Sequence, residues 1–173
     1  MLSLIKHTGL MLLGFSILVG VACGDSAEDN EYVKEGRLHQ GNGEYQKATE
    51  SYTEAILIDP ENWNVYGNRA ISYIALGEYQ KALKDFTEVT RLNPKLPAAY
   101  GGRAFIYSQL GEHQKAIHEY TEAIRIDDPE NVGFEIAGAY ANRGHSYRKL
   151  GQIDKADADL KRACELDLSL IHI

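Results

Sequence analysis

The hexapeptide GEYQKA at residues 43–48 recurs without change at residues 77–82. Related versions follow at residues 111–116 (GEHQKA) and 151–156 (GQIDKA), so the first two spacings are 34 residues and the third is 40. Alignment of residues 43–60 with 77–94 gives 9 identities in 18 positions, and alignment with 111–128 gives 12 in 18. A fixed period of this length is typical of proteins built from stacked repeats.

The second copy shows what one unit contains. Residues 63–76 have the apolar spacing of a helix, and Gly77 supplies a helix stop. Residues 79–92 predict a partner helix, which Pro94 ends because proline cannot continue a helix. GEYQKA is therefore predicted to be the corner between the two helices. The expected inner-face residues are Tyr66, Ala70 and Tyr73 in the first helix and Ala82, Phe86 and Val89 in the second.

Small and aromatic residues keep the same register in all four units. Small residues let two helices approach closely, and we interpret all 11 tyrosines, which fall on repeat positions, as core residues. The small positions are Gly36, Ala70, Ala104 and Gly144, then Ala48, Ala82, Ala116 and Ala156, and then Ala55, Val89, Ala123 and Ala163.

This pattern resembles the tetratricopeptide repeat family. The resemblance implies an all-α, right-handed solenoid of four helix-turn-helix units, at about residues 31–60, 63–94, 97–128 and 137–167. Six extra residues fall around Asp127 to Gly138. They predict either a longer loop or an N-terminal extension of the fourth unit's first helix, and insertions in repeat arrays usually form loops.

The N-terminal segment differs from the repeats. Residues 1–22 have one cation, Lys6, followed by an apolar run that is short for a membrane span and typical of a signal peptide. The segment ends in Gly20-Val21-Ala22-Cys23, which resembles the lipobox of bacterial lipoproteins. That resemblance implies cleavage before Cys23 and lipidation of its sulfur. An ordinary secretory signal that contains a cysteine is the alternative.

Residues 23–30 would then form the lipidated cysteine and a short acidic tether. The expected location is the bacterial cell envelope, with the protein exported and anchored by lipid. Gly24 stands where an aspartate commonly retains lipoproteins in the inner membrane, which favours the periplasmic face of the outer membrane in a two-membrane envelope.

The sequence predicts no catalytic, metal or cofactor site. A net charge of -7 argues against nucleic acid as a partner, because phosphate binding needs a basic surface. Asp154, Asp157 and Asp159 lack the glycine of a calcium loop and are interpreted as a solvated helix face. Cys164 is predicted to pack on the inner side of the last helix. We therefore expect neither an enzyme nor a small-molecule substrate.

Protein binding is the function that the resemblance implies. In tetratricopeptide arrays the first helix of each unit lines a concave groove that takes peptide segments. We expect this groove to be apolar in its middle and basic at its ends. The residues at the family's groove positions are Val33, Arg37 and Gln40, then Asn64, Ile71 and Ile74, then Phe105, Ser108 and Gln109, and finally His145, Arg148 and Lys149.

The residues at these groove positions also argue against a receptor for the C-terminal tails of chaperones. Its carboxylate clamp needs lysine, asparagine, asparagine, lysine and arginine, and only Asn68 matches. Val33, Arg37, Ala98 and Gly102 stand at the other positions.

The expected function is a non-catalytic scaffold or assembly factor, tethered to a membrane. The binding portion of a truncated enzyme or sensor and a soluble secreted module are the alternatives. The final residues, 168–173 (LSLIHI), do not follow the repeat pattern and correspond to one reading frame of CTGTCTCTTATACACATC, a transposon end used in sequencing libraries. We hypothesise that the natural sequence stops at or near Asp167 and that the remaining residues are read-through of a sequencing adapter, with a genuine apolar tail as the alternative.

Overall fold

The structure is a computed structural model that describes residues 30–126 and 134–171. These residues form eight helices, and no strand lies among them. Each helix packs on its neighbours along the chain, and α1 also contacts α3, as α5 contacts α7. The fold is the predicted all-α solenoid of four helix pairs. The helices are α1 (Glu31–Gly41), α2 (Tyr45–Ile58), α3 (Trp63–Ala75), α4 (Tyr79–Leu92), α5 (Pro97–Gln109), α6 (His113–Ile126), α7 (Phe134–Lys149) and α8 (Ile153–Ile171).

The repeated hexapeptide forms the corner between the two helices of every unit. At the second corner, Gly77 has a φ of 74°, in the left-handed region that favours glycine. Its amide donates to the Ile74 carbonyl at 2.9 Å, and the Glu78 amide donates to the Tyr73 carbonyl at 2.8 Å. These two bonds satisfy carbonyls that the end of α3 leaves unpaired. The corner predicted from GEYQKA is confirmed.

The small positions are the points of closest helix contact. All of the residues predicted there are buried, including Val89, the largest of them. A Cβ atom built on Gly36 would lie 2.5 Å from the ring of Tyr52, which is far inside contact distance. The Tyr52 ring of α2 therefore requires a residue without a Cβ atom at position 36 of α1.

The interpretation of every tyrosine as a core residue is wrong in part. Tyr52 and Tyr120 are buried, and burial raises the pKa of each to about 12. Tyr32 is exposed, because α1 is the first described helix and no earlier helix covers its ring. The remaining tyrosines are half-buried, several of them beneath cationic side chains.

Two predictions on the last helix are also wrong. Cys164 is exposed, because no described helix packs on that side of α8. Asp159 is buried and pairs with Arg143, although Asp154 and Asp157 lie on the solvated face as expected.

The insertion and the two ends are described only in part. Helix α7 begins at Phe134, ahead of the predicted start of its unit at 137, so part of the insertion extends this helix. Residues 127–133 lie outside the described residues. Helix α8 continues to Ile171, past the predicted boundary at 167. The predicted signal peptide, Cys23 and the tether up to residue 29 lie outside the described residues.

Candidate peptide-binding groove

A hollow of about 570 Å³ opens between the first helices of the third and fourth units. Phe105 on α5 contributes an exposed ring, with 38% of its surface accessible. Buried or half-buried apolar side chains form the floor. The lining residues are Phe105, Ser108, Gln109, His113, Tyr120, Ala141, Asn142, His145, Lys149 and Leu160.

The charge of this hollow is opposite to that of the chain. Its lining includes Lys149, His113 and His145, and it includes no carboxylate. The Nδ1 atom of His113 is buried and has no hydrogen-bond partner among the described residues. A buried polar atom without a partner costs free energy, so a ligand that supplied one would bind more favourably. The hollow therefore suits a ligand that combines an apolar group with a hydrogen-bonding or anionic group.

The structure brings together some of the predicted groove residues. Those that meet in this hollow are Phe105, Ser108, Gln109, His145 and Lys149. They come from two sequential units because α5 and α7 lie side by side.

Other predicted groove residues lie elsewhere. Val33 was placed in the groove, and this is wrong: it is 2% exposed and packs against Tyr52 and Val65 in the core. Ile74 is half-buried against the core cluster that contains Phe86. Arg148 is turned toward Asp157 on α8, at 3.0 Å. The positive charge in this hollow therefore comes from Lys149.

The N-terminal part of the groove is more polar than expected. Arg37 is exposed and Asn64 is half-buried, while Ile71 presents an apolar surface that is 49% exposed. The Tyr52 hydroxyl donates to Gln40 Oε1 at 2.8 Å. Gln40 Nε2 in turn donates to the Asn68 carbonyl at 3.5 Å, so Gln40 joins the first unit to the second.

A repeated arginine, which the sequence reasoning missed, fixes the orientation of the groove helices. Arg69 on α3 donates to both Asp85 carboxylate oxygens, at 2.8 and 2.7 Å, and to Thr53 Oγ1 of the preceding unit at 3.0 Å. Burial opposes the charge of Arg69, but the hydrogen bond and the charge attraction to Asp85, with smaller contributions from Tyr73 and Tyr66, together raise the arginine's pKa. The rings of Tyr66 and Tyr73 lie within 6 Å of the guanidinium.

The same arrangement recurs in the next two units. Arg103 pairs with Glu119 at 2.6 Å, and Arg143 pairs with Asp159 at 2.8 Å. Each arginine also donates to a threonine of the preceding unit. The sequence contained a signal, since an arginine stands at one register position in three units and an acidic residue follows it by 16 residues.

Comparison with known families agrees with this geometry. Profiles for the tetratricopeptide repeat match residues 32–62, 63–96, 97–129 and 137–169, which is most of the chain. The chain belongs to the tetratricopeptide repeat family. Repeats of this family bind other proteins and peptides, and generally act as interaction modules without catalytic activity.

Solved structures show the same fold. A crystal structure of MamA is 25% identical, with a TM-score of 0.75, and the match covers 82% of this chain and 80% of MamA. The Sgt2 tetratricopeptide domain from Aspergillus fumigatus is also 25% identical, with a TM-score of 0.64 and coverage of 76% and 85%. BtubC from P. vanneervenii is 20% identical, with a TM-score of 0.72 and coverage of 82% and 64%. No curated protein sequence matches this chain significantly.

The described residues form neither a metal-ligand cluster nor a membrane-spanning helix. Within residues 30–126 and 134–171, no three His, Cys, Asp or Glu side chains are grouped so as to hold a metal ion. None of the helices in these ranges has the length and apolar character needed to cross a bilayer.

Proposed function

We propose that this protein is a lipid-anchored scaffold that captures segments of partner proteins in the hollow between α5 and α7. The observation that carries the proposal is the exposed Phe105 ring in one hollow with Lys149 and with a His113 Nδ1 atom that has no hydrogen-bond partner among the described residues. An exposed apolar surface rimmed by polar residues is characteristic of a binding site.

The apolar part of the ligand would contact Phe105. Aromatic side chains at the centre of an interface contribute much of its binding free energy when they are covered by a partner. The ring is only partly covered by its own helix pair, so a partner side chain can remove the remaining surface from water.

The polar part of the ligand would be a carboxylate or another hydrogen-bond acceptor. Lys149 supplies a positive charge at the rim, and the rings of His113 and His145 offer nitrogen atoms that can form hydrogen bonds. A carboxylate on the partner would be attracted to a lining that has no acidic residue of its own. The proposed partner is therefore a protein segment with an acidic residue next to an apolar anchor, bound as a helix or an extended chain.

Crosslinking in living cells tests this surface directly. A photoreactive amino acid in place of Gln109, which lines the hollow, should capture a partner protein. The same amino acid in place of Lys84, an exposed residue of α4 outside the hollow, is the matched control. Equal capture at both positions, or capture only at Lys84, would place the binding surface elsewhere.

The tether is the second part of the proposal. The lipobox-like residues 20–23 support lipidation of Cys23, and more than one acyl chain gives the stable anchoring that a scaffold needs. The partner would then be held at the membrane surface of the cell envelope.

Cys23→Ser should release the protein from the membrane fraction or block its processing, because serine has no thiol to lipidate. Fractionation and mass spectrometry of the N-terminus measure both effects. Cys164→Ser is the control and should behave as wild type. An unchanged fraction and mass for Cys23→Ser would exclude the lipoprotein interpretation and favour a secreted module.

A further inference from the structure

The first unit lacks the buried arginine pair that the other three share. Glu35 stands at the position of Arg69, Arg103 and Arg143, and Ser51 stands at the position of their acidic partners. Tyr32 keeps the tyrosine that stacks on the arginine in the later units, and its ring is 39% exposed. The surroundings of a guanidinium are thus partly present here without the guanidinium.

A second hollow, of about 390 Å³, lies over this position. Its lining includes Tyr32, Glu35, Ser51, Glu50, Glu54 and one cation, Lys81. Lys81 lies 2.7 Å from a carboxylate oxygen of Glu78, a residue that does not line the hollow, so this lysine already has an acidic neighbour. Glu35 and Glu54 form no ion pair among the described residues. This hollow is therefore acidic, whereas the hollow between α5 and α7 is basic.

Ser51 gives an independent indication of a ligand. Its side chain is nine-tenths buried at the edge of this hollow, with 9% of its surface exposed. Its hydroxyl makes no hydrogen bond to any described residue. In the later units the side chain at the same position accepts hydrogen bonds from arginine.

We propose that this hollow binds an arginine side chain of a partner protein. The guanidinium would stack on the Tyr32 ring, pair with Glu35 or Glu54 and donate to Ser51, as Arg69 does with its own tyrosines, carboxylate and threonine. Arginine suits the site better than lysine, because its planar group can stack on a ring while donating several hydrogen bonds.

Other occupants fit the residues less well. Residues 24–30, which precede α1, contain no Lys or Arg that could fill the site. The carboxylates of the described residues do not converge as metal ligands do. The proposal is also independent of the hollow between α5 and α7, which we call the Phe105 hollow, since the two sites differ in position and in charge.

The test is a titration of the full chain in detergent micelles, with isotope-labelled tyrosine observed by NMR. N-acetyl-arginine amide should shift the Tyr32 ring signals in a saturable way. The citrulline analogue has the same shape without the charge and should cause no saturable shift. The lysine analogue should bind at least fivefold more weakly. A failure of arginine to shift Tyr32, or equal shifts from citrulline or lysine, would overturn the proposal.

Variants separate this site from general charge effects. Glu35→Arg with Ser51→Asp rebuilds the internal pair of the later units, so it should abolish the arginine response and raise the melting temperature. Glu35→Gln, a milder change, should weaken the response at least fivefold without unfolding the chain. Glu165→Gln makes the same charge change of +1 on α8 and should leave the response intact. A full response in either Glu35 variant would contradict the assignment.

Discussion

Gly36 shows how a single residue sets the distance between two helices. Glycine inside a helix normally makes the helix less stable than alanine does, by about 1 kcal/mol, so its presence in α1 needs a reason. The reason is the Tyr52 ring, which fills the space that a Cβ atom would occupy. The buried ring in turn donates its hydroxyl to Gln40 and so connects packing to the groove helices.

Gly36→Ala should therefore destabilise the protein, by about 1–3 kcal/mol, because the tyrosine ring must move. Gly101→Ala on α5 is the matched control, since a Cβ atom there meets nothing within 4 Å. It should be neutral or stabilising, by up to about 1 kcal/mol. Chemical denaturation measures the free energy of unfolding of both variants. A stabilised Gly36→Ala would show that the contact between position 36 and the Tyr52 ring is not tight.

At the scale of the helices, buried arginine pairs connect each unit to the one before. Arg69 contacts Asp85 of its own unit and Thr53 of the previous unit. These contacts therefore set the angle between the two helices of one unit and also the angle between neighbouring units. Exposed pairs such as Arg91 with Glu88 lie on a single helix and lack this geometric role.

Arg69→Met should destabilise the fold by about 3–5 kcal/mol, because it leaves the Asp85 carboxylate buried and unpaired. Adding Asp85→Leu should recover much of this loss, since the buried charge is then gone. Arg91→Met, at an exposed pair, should cost much less than Arg69→Met, because solvent already screens the attraction between Arg91 and Glu88. Thermal and denaturant unfolding measure all three. Equal losses for Arg69→Met and Arg91→Met would mean that burial is not the cause.

The sequence predicted the parts of the fold that depend on local pattern. Helix corners, small positions and unit boundaries follow from residues that are close together along the chain. Residues at the ends of the stack were harder to predict, because Tyr32 and Cys164 have the same spacing as half-buried counterparts in other units, but no described helix packs over them.

The candidate site was predicted less completely than the fold. Val33 holds a groove position in the repeat register, yet it lies in the core because α1 and α3 approach closely enough to bury it with Val65. His113 was not predicted at all. It belongs to a corner, and only the packing of α5 against α7 shows that its ring lines the hollow.

At the scale of the whole molecule, the solenoid separates two surfaces of opposite charge. The chain is acidic overall, but the Phe105 hollow in the C-terminal half has only cationic and neutral lining residues. The hollow of the first unit has three carboxylates. A scaffold with two such sites could hold two different segments of its partners at once, at a distance set by the intervening units.

The affinity of the Phe105→Ala variant for the partner captured at Gln109 tests directly whether the hollow between α5 and α7 binds that partner. Titration should show a loss of about 1 kcal/mol or more, roughly fivefold in Kd, because the apolar anchor is lost. Helix content and melting temperature should stay close to wild type, since the Phe105 side chain is exposed. Leu57→Ala is the control for loss of an exposed apolar side chain outside this hollow, and it should leave Kd unchanged. An unchanged Kd for Phe105→Ala, or an unfolded variant, would show that Phe105 is not an anchor for the partner and that the binding surface lies elsewhere.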